Sequence, residues 1–204
     1  MSQLPPRLRL PRKPHYITIS ADCDFFKLFK KIEKRYDNCF YLESLGEDSH
    51  MARHSIIGFD PEQLLYANGN TLTIEERDGS KADYPSDNPY SLLREIVPQD
   101  IISRKYAGGL TGYLGYDAMN YFEPSLSIQS SELFDAFRFG LFKDGLILDK
   151  MTGELIYFYY HDSRLDDVEA LLAEDDVING PLKVYSCGET MTPGDHRAAD
   201  MKVK

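Results

Sequence analysis

The sequence contains no tryptophan and only three cysteines in 204 residues. Cys23, Cys39 and Cys187 form no CxxC pair and have no histidine at metal-ligand spacing. An odd, widely spaced set argues against a disulfide framework and fits reduced thiols in a cytosol. Basic residues are also in the minority, with 23 Lys and Arg against 33 Asp and Glu, for a formal charge of -10. A nucleic-acid backbone needs a concentrated basic face, so no nucleic-acid partner is expected. Long apolar runs are missing as well, which leaves nothing to span a bilayer. The arm Met1 to Pro14 carries Arg7, Arg9, Arg12 and Lys13 among prolines and lacks the apolar centre of a secretory signal. It reads as a flexible, solvated arm, and the protein reads as cytoplasmic, with no membrane partner. GxxxxGK[ST], HExxH and GxSxG are absent, which removes three common catalytic constellations.

Aromatic residues are plentiful: 14 Tyr and 11 Phe must fill much of the interior. His15 to Ser20 alternates like a strand, as do Cys39 to Ser44 and Arg53 to Phe59. Phe25, Leu28, Phe29 and Ile32 recur at intervals of three and four. They predict a helix over Asp24 to Arg35, capped by Asp22 or Asp24. Leu64–Ala67 and Thr71–Ile74 flank Asn68-Gly69-Asn70, whose residues tolerate the positive φ of a tight hairpin. Pro89 to Val97 reads as a short helix stopped by Pro98. Phe134 to Phe142, Gly145 to Leu148 and Leu155 to Tyr160 read as strands, the last two joined through a turn at Asp149 to Glu154. Leu165 to Ala173 reads as an amphipathic helix capped by Asp162 or Ser163. Many hairpins and few helices predict an α+β fold with a mostly antiparallel sheet. The expected organisation is an arm over 1–14, one domain over 15–178 and a linker over 179–204.

Single chemical features read modestly. His50 and His54 are four apart, as a helix-borne metal site would need, but His54 opens a strand-like run, so no metal site is expected. The glycines of Ala107 to Asp117 (AGGLTGYLGYD) lack the strand–GxGxxG–helix context of a dinucleotide site. They predict a packing element, in which two backbones approach closely or a strand bulge is relieved.

Two blocks taken together say more. Tyr41-Leu42-Glu43-Ser44 is followed after eight residues by Arg53-His54-Ser55-Ile56-Ile57-Gly58, and later by Gly108-Gly109-Leu110-Thr111-Gly112-Tyr113-Leu114-Gly115-Tyr116-Asp117. In this order and spacing they resemble the N-terminal region of the anthranilate synthase component I family, with its LES…RYSxIG and GGxxGYxxYD blocks. Ser186 to Lys204 is similar to that family's linker into its chorismate-binding half, whose next motif, Gly-Asp-Ile-[FY]-Gln, is expected just past Lys204.

The resemblance implies that no catalytic residue, and no cofactor, belongs to this chain. The complete enzyme would be a lyase that makes anthranilate from chorismate with Mg²⁺. Its partners would be a chorismate-binding half and a glutamine amidotransferase subunit. The resemblance also implies part of a feedback site for L-tryptophan, carried over onto Leu42, Glu43 and Ser44, with Ser44 foremost. A Ser hydroxyl both donates and accepts, which suits an amino acid's charged groups. On a strand Leu42 and Ser44 face one way and Glu43 the other, so Glu43 is expected to act from the strand end or to pair with Arg53. His54 stands where relatives carry an aromatic or basic residue. Phe25 stands where they carry a proline that lines the effector pocket, so a bulky ring there is expected to occlude an indole or restack against it. The alternatives are the paralogous component I of aminodeoxychorismate synthase and a stand-alone amino-acid-sensing module.

Overall fold

The computed structural model describes residues 4–21, 23–43, 52–98 and 106–177. Ser44, His50, Cys187, His196, the alternative cap Asp22 and the linker 179–204 lie outside them. Among the described residues the fold is α+β, as expected, with ten strands in two five-stranded antiparallel sheets.

The first sheet has the order β1 (His15–Ile19), β10 (Glu154–Tyr159), β9 (Asp144–Asp149), β3 (His54–Phe59) and β2 (Cys39–Glu43). Helices α1 (Phe25–Arg35) and α3 (Leu165–Ala173) cover one of its faces. Phe25, Leu28 and Ile32 of α1 meet Val168 and Leu171 of α3 over Ile57, Phe59, Leu146, Leu155 and Tyr157. Each such side chain contributes about 1.5–3 kcal/mol on leaving water. Asp24 caps α1, its carboxylate accepting from the amides of Phe26 and Lys27. Lys31 is buried beneath the same helix, and its ammonium is satisfied by the Glu174 carbonyl and Asp176. The opposite face buries Ile147, Ile156 and Phe158, with Tyr106 packed on them.

The second sheet has the order β6 (Lys81–Pro85), β5 (Thr71–Glu76), β4 (Gln63–Asn68), β8 (Phe137–Phe142) and β7 (Gly109–Leu114). The β4–β5 hairpin forms at Asn68-Gly69-Asn70, with Gly69 at φ 56°. Helix α2 (Pro89–Ile96), capped by Asn88 and begun by Pro89, lays Leu93 and Ile96 on Leu65, Leu72, Phe137 and Leu141. Leu8 joins this cluster and its amide bonds the Ile96 carbonyl, so part of the arm expected to be solvated is packed. The glycine block is a packing element, as its composition suggested. A Cβ on Gly112 would lie 1.9 Å from the Arg138 carbonyl oxygen on the neighbouring strand.

The sheets share strands in sequence: β3 leads into β4 and β8 into β9, and these two runs pair with each other on both sides of the bend. A partly buried ionic cluster fastens the corner. Arg164 bonds Asp144 through Nε (2.8 Å) and Nη2 (2.6 Å) and Asp60 through Nη1 (2.6 Å). The Tyr157 hydroxyl donates to Asp144 at 2.9 Å. Here the expected capping of α3 is corrected: the cap position is Arg164, whose guanidinium has no acceptor to offer the helix amides and bonds Asp144 and Asp60 instead. Ser163 contributes only a hydroxyl accepting from the Leu165 amide at 3.3 Å.

Candidate functional site

Apart from Ser44, which lies outside the described residues, the residues singled out for an effector lie near one end of the first sheet, where β2 stops and β3 begins. Strand pairing sets Leu42 opposite Ile56 and Glu43 opposite Ser55, and His54 opposite Asp149. Strand alternation then separates them. Glu43, Tyr41 and Ser55 lie on the face covered by α1. Leu42 and His54 lie on the other, and Leu42 is about half exposed.

Phe25 is brought near but is not open to the site. As the first residue of α1 it is 4% exposed and part of the core. The Tyr41 ring packs against Phe25, Phe26 and Phe29 at centroid distances of 6.0, 5.8 and 5.3 Å. Burial, together with the Glu43 carboxylate, pushes the Tyr41 phenol up to about 12. Phe26, half exposed, is the ring of this turn that faces water.

The expected Glu43–Arg53 pairing is corrected. Arg53 turns instead to Asp149 on β9, with Nε 3.0 and 2.9 Å from the two carboxylate oxygens and Nη2 2.5 Å from Oδ2. The physical reason is position. Arg53 precedes the His54–Asp149 pair and its carbonyl accepts from the Lys150 amide, so the central strand lies closer to it than the edge strand does. Asp149 is 1% exposed and also accepts from the Met151 amide. The guanidinium and that amide hold its carboxyl down at about 2. His54 Nε2 stands 3.9 Å from the same carboxylate. Glu43, exposed at the strand end, accepts weakly from the Ser55 hydroxyl at 3.4 Å and also interacts with the Tyr41 phenol.

Sequence reasoning missed Asp149, and nothing local pointed to it, since it lies 96 positions from Arg53. As an assembly, this end of the sheet offers an exposed carboxylate, an imidazole beside a neutralised ion pair, and one exposed aromatic ring.

A second concave feature lies on the other sheet. A cleft of about 440 Å³ is lined by Tyr113, Tyr116, Asp117, Ile128 and Phe134. Asp117 accepts from the Ser131 amide, and the Asn120 side chain both donates to the Ile128 carbonyl and accepts from its amide.

No protein-family model matches the chain. It is 44% identical over 176 residues to anthranilate synthase component 1 of Leptospira biflexa, covering 85% of this chain and 37% of that protein. It is 39% identical over 158 residues to the component 1 of Methanothermobacter marburgensis, covering 77% and 33%. Against the component 1 of Methanothermobacter thermautotrophicus it is 36% identical over 163 residues, covering 80% and 34%. The chain thus spans about a third of the length of these curated relatives.

Proposed function

Because the chain is homologous to anthranilate synthase component 1 over most of its length, we propose that it is the N-terminal regulatory and scaffolding region of such a component. The complete protein converts chorismate to anthranilate in tryptophan biosynthesis, with ammonia from a glutamine amidotransferase subunit. The observation that carries this reading is 44% identity spread over 85% of this chain but only 37% of the Leptospira biflexa protein. Catalysis is assigned to the two thirds of the relatives that this chain does not match. The Mg²⁺ of the reaction is assigned there too. The relatives named above all make up anthranilate synthases, which favours the tryptophan branch over the paralogous folate branch.

Within this reading the open end of the first sheet carries part of an L-tryptophan site. The exposed Glu43 carboxylate suits the ammonium group, and the Ser44 hydroxyl suits the carboxylate or the ammonium. Leu42 and His54 supply contacts from the other face of the strand, so the ligand lies across the strand end. Arg53, neutralised by Asp149, positions the start of β3. Phe25 is committed to the core and neither blocks nor stacks on an indole.

Calorimetry of the chain with L-tryptophan tests the site. Binding is expected with the wild-type chain and none with Ser44→Arg at an unchanged circular dichroism spectrum. Equal affinity in the two would sink the pocket assignment. Fluorescent anthranilate formed by this chain alone from chorismate and ammonia would overturn the assignment of catalysis elsewhere.

A further inference from the structure

The apolar ledge of the second sheet is left over from this account. Tyr116 is 82% exposed, Leu133 85% and Phe134 66%, around the cleft that also holds Tyr113 and Ile128. Aromatic side chains expose roughly 150–250 Å² each when free, so these groups present on the order of 400 Å² of apolar surface. That is the size at which an exposed patch on a soluble protein marks an interaction surface.

The ledge is also held in a fixed form. Asp117 clamps the Ser131 amide, Asn120 clamps Ile128 twice, and the Ser131 hydroxyl accepts from the amides of Leu133 and Phe134. The Gly115 amide bonds the Ala136 carbonyl at 2.7 Å, fastening both ends of the loop. Tyr113 and Phe134 meet edge to face, with centroids 6.4 Å apart. Large side chains held in the open by satisfied hydrogen bonds lose little further freedom on docking, which is how interface anchors gain affinity.

We infer that this ledge is the face on which the catalytic two thirds of a component 1 protein packs, with Tyr116 and Phe134 as its anchors. The inference rests on the function proposed above. Two observations choose this occupant over a second copy of the chain. The chain matches only 33–37% of relatives named as one protein, so a region about twice its size remains to be placed against it. The ledge carries Asp117 in the cleft wall and exposed Glu132 next to Leu133, on a chain of charge -10, and a symmetric dimer through this face would crowd those like charges. The occupant therefore presents apolar side chains ringed by basic ones. A patch of this size is about half of one side of a standard interface, so it forms the anchor of a larger contact.

The test replaces the matched 176 residues of the Leptospira biflexa protein with this chain, giving one complete polypeptide, and compares it with the chain by itself. Tyr116→Asp with Phe134→Asp is expected to lower the melting temperature of the isolated chain by at most about 4 °C, since the edge contact between Phe134 and Tyr113 is the main packing lost there. In the complete polypeptide the same pair is expected to raise protease susceptibility at least about tenfold and to lower ammonia-dependent anthranilate formation, as loss of interface anchors does. If the unsubstituted chimera is folded but makes no anthranilate, the proposed function fails and the docking face with it. If it is active and the substitutions change neither readout, the docking face alone is wrong. Sedimentation of the isolated chain as a dimer that Tyr116→Asp dissociates would give the ledge to a second copy and overturn the inference.

Discussion

Arg53→Met isolates the pair that holds β3 to β9. The substitution keeps the aliphatic stem and removes the charge, leaving the Asp149 carboxylate 1% exposed and without its guanidinium. In the folded chain that carboxyl sits at about 2, against an ordinary value of 3.8. The displacement corresponds to about 2.5 kcal/mol of preference for the ionised form in the native state. Part of it comes from backbone amides, which the variant keeps. Arg53 itself is 36% exposed, so water screens the pair. About 1–2 kcal/mol is therefore the expected loss at pH 7, or roughly 3–6 °C in melting temperature for a chain of this length. The pH dependence gives the sharper test. Since the folded value lies below the unfolded one, the unfolded chain binds the extra proton between about pH 4 and pH 2. The contribution is complete above pH 4 and is lost as pH falls toward 2. Melting curves by circular dichroism at pH 7, 5, 4, 3 and 2.5 are expected to show wild type and variant converging in acid. A gap of constant size at every pH would refute the electrostatic account, because only lost packing of the stem would behave that way. No gap at pH 7 would show that the pair contributes nothing.

Other outcomes follow from single contacts. Gly112→Ala places a methyl 1.9 Å from the Arg138 carbonyl oxygen and 2.7 Å from the Phe139 Cα, so β7 must shift; thermal unfolding is expected to show a loss of about 1–3 kcal/mol. Arg164→Met strands the buried Asp144 carboxylate and is expected to cost about 3–5 kcal/mol by urea unfolding. Tyr160→Phe is expected to be neutral or to stabilise by up to about 1 kcal/mol in the same assay, since the Tyr160 hydroxyl is buried with no hydrogen-bond partner among the described residues. Tyr41 and Tyr160 are both held up to about 12 by burial, while an unfolded tyrosine ionises near 10. Stability is therefore expected to be complete below pH 10 and to fall between pH 10 and 12, seen as tyrosinate absorbance rising together with unfolding.

Local chemistry made much of the fold legible. Asn68-Gly69-Asn70 fixed a hairpin because few residue types accept its backbone angles, and the spacing of Phe25, Leu28 and Ile32 fixed the buried side of α1. β6 was not legible: Lys-Ala-Asp-Tyr-Pro is an exposed edge with no apolar alternation, and pairing with β5 alone makes it a strand. The 3-10 turn Tyr116–Tyr121 was equally silent, since its only buried side chain is Ala118. At the candidate site the alternation of Leu42 and Glu43 was readable from strand geometry. The partner of Arg53 was not, because a contact across 96 positions leaves no trace in either neighbourhood. Phe25 lies in the core, as its place in the helix periodicity implies.

The way β1 and β3 find their partners has a consequence for how the chain is made. Among the described residues β1 pairs only with β10, and β3 needs β9 to connect it to the rest of its sheet. Arg53 must wait for Asp149, 96 positions later, and at ribosomal speed that interval lasts roughly 5–20 s. Throughout it the rings of Phe25, Tyr41 and Phe59 lack Leu155 and Tyr157, the part of their cluster that is made last on the sheet. A nascent chain of this design spends its synthesis with unsatisfied strand edges and greasy side chains in water. Its yield in a cell is then governed by what shields it during those seconds as much as by the stability of the finished fold.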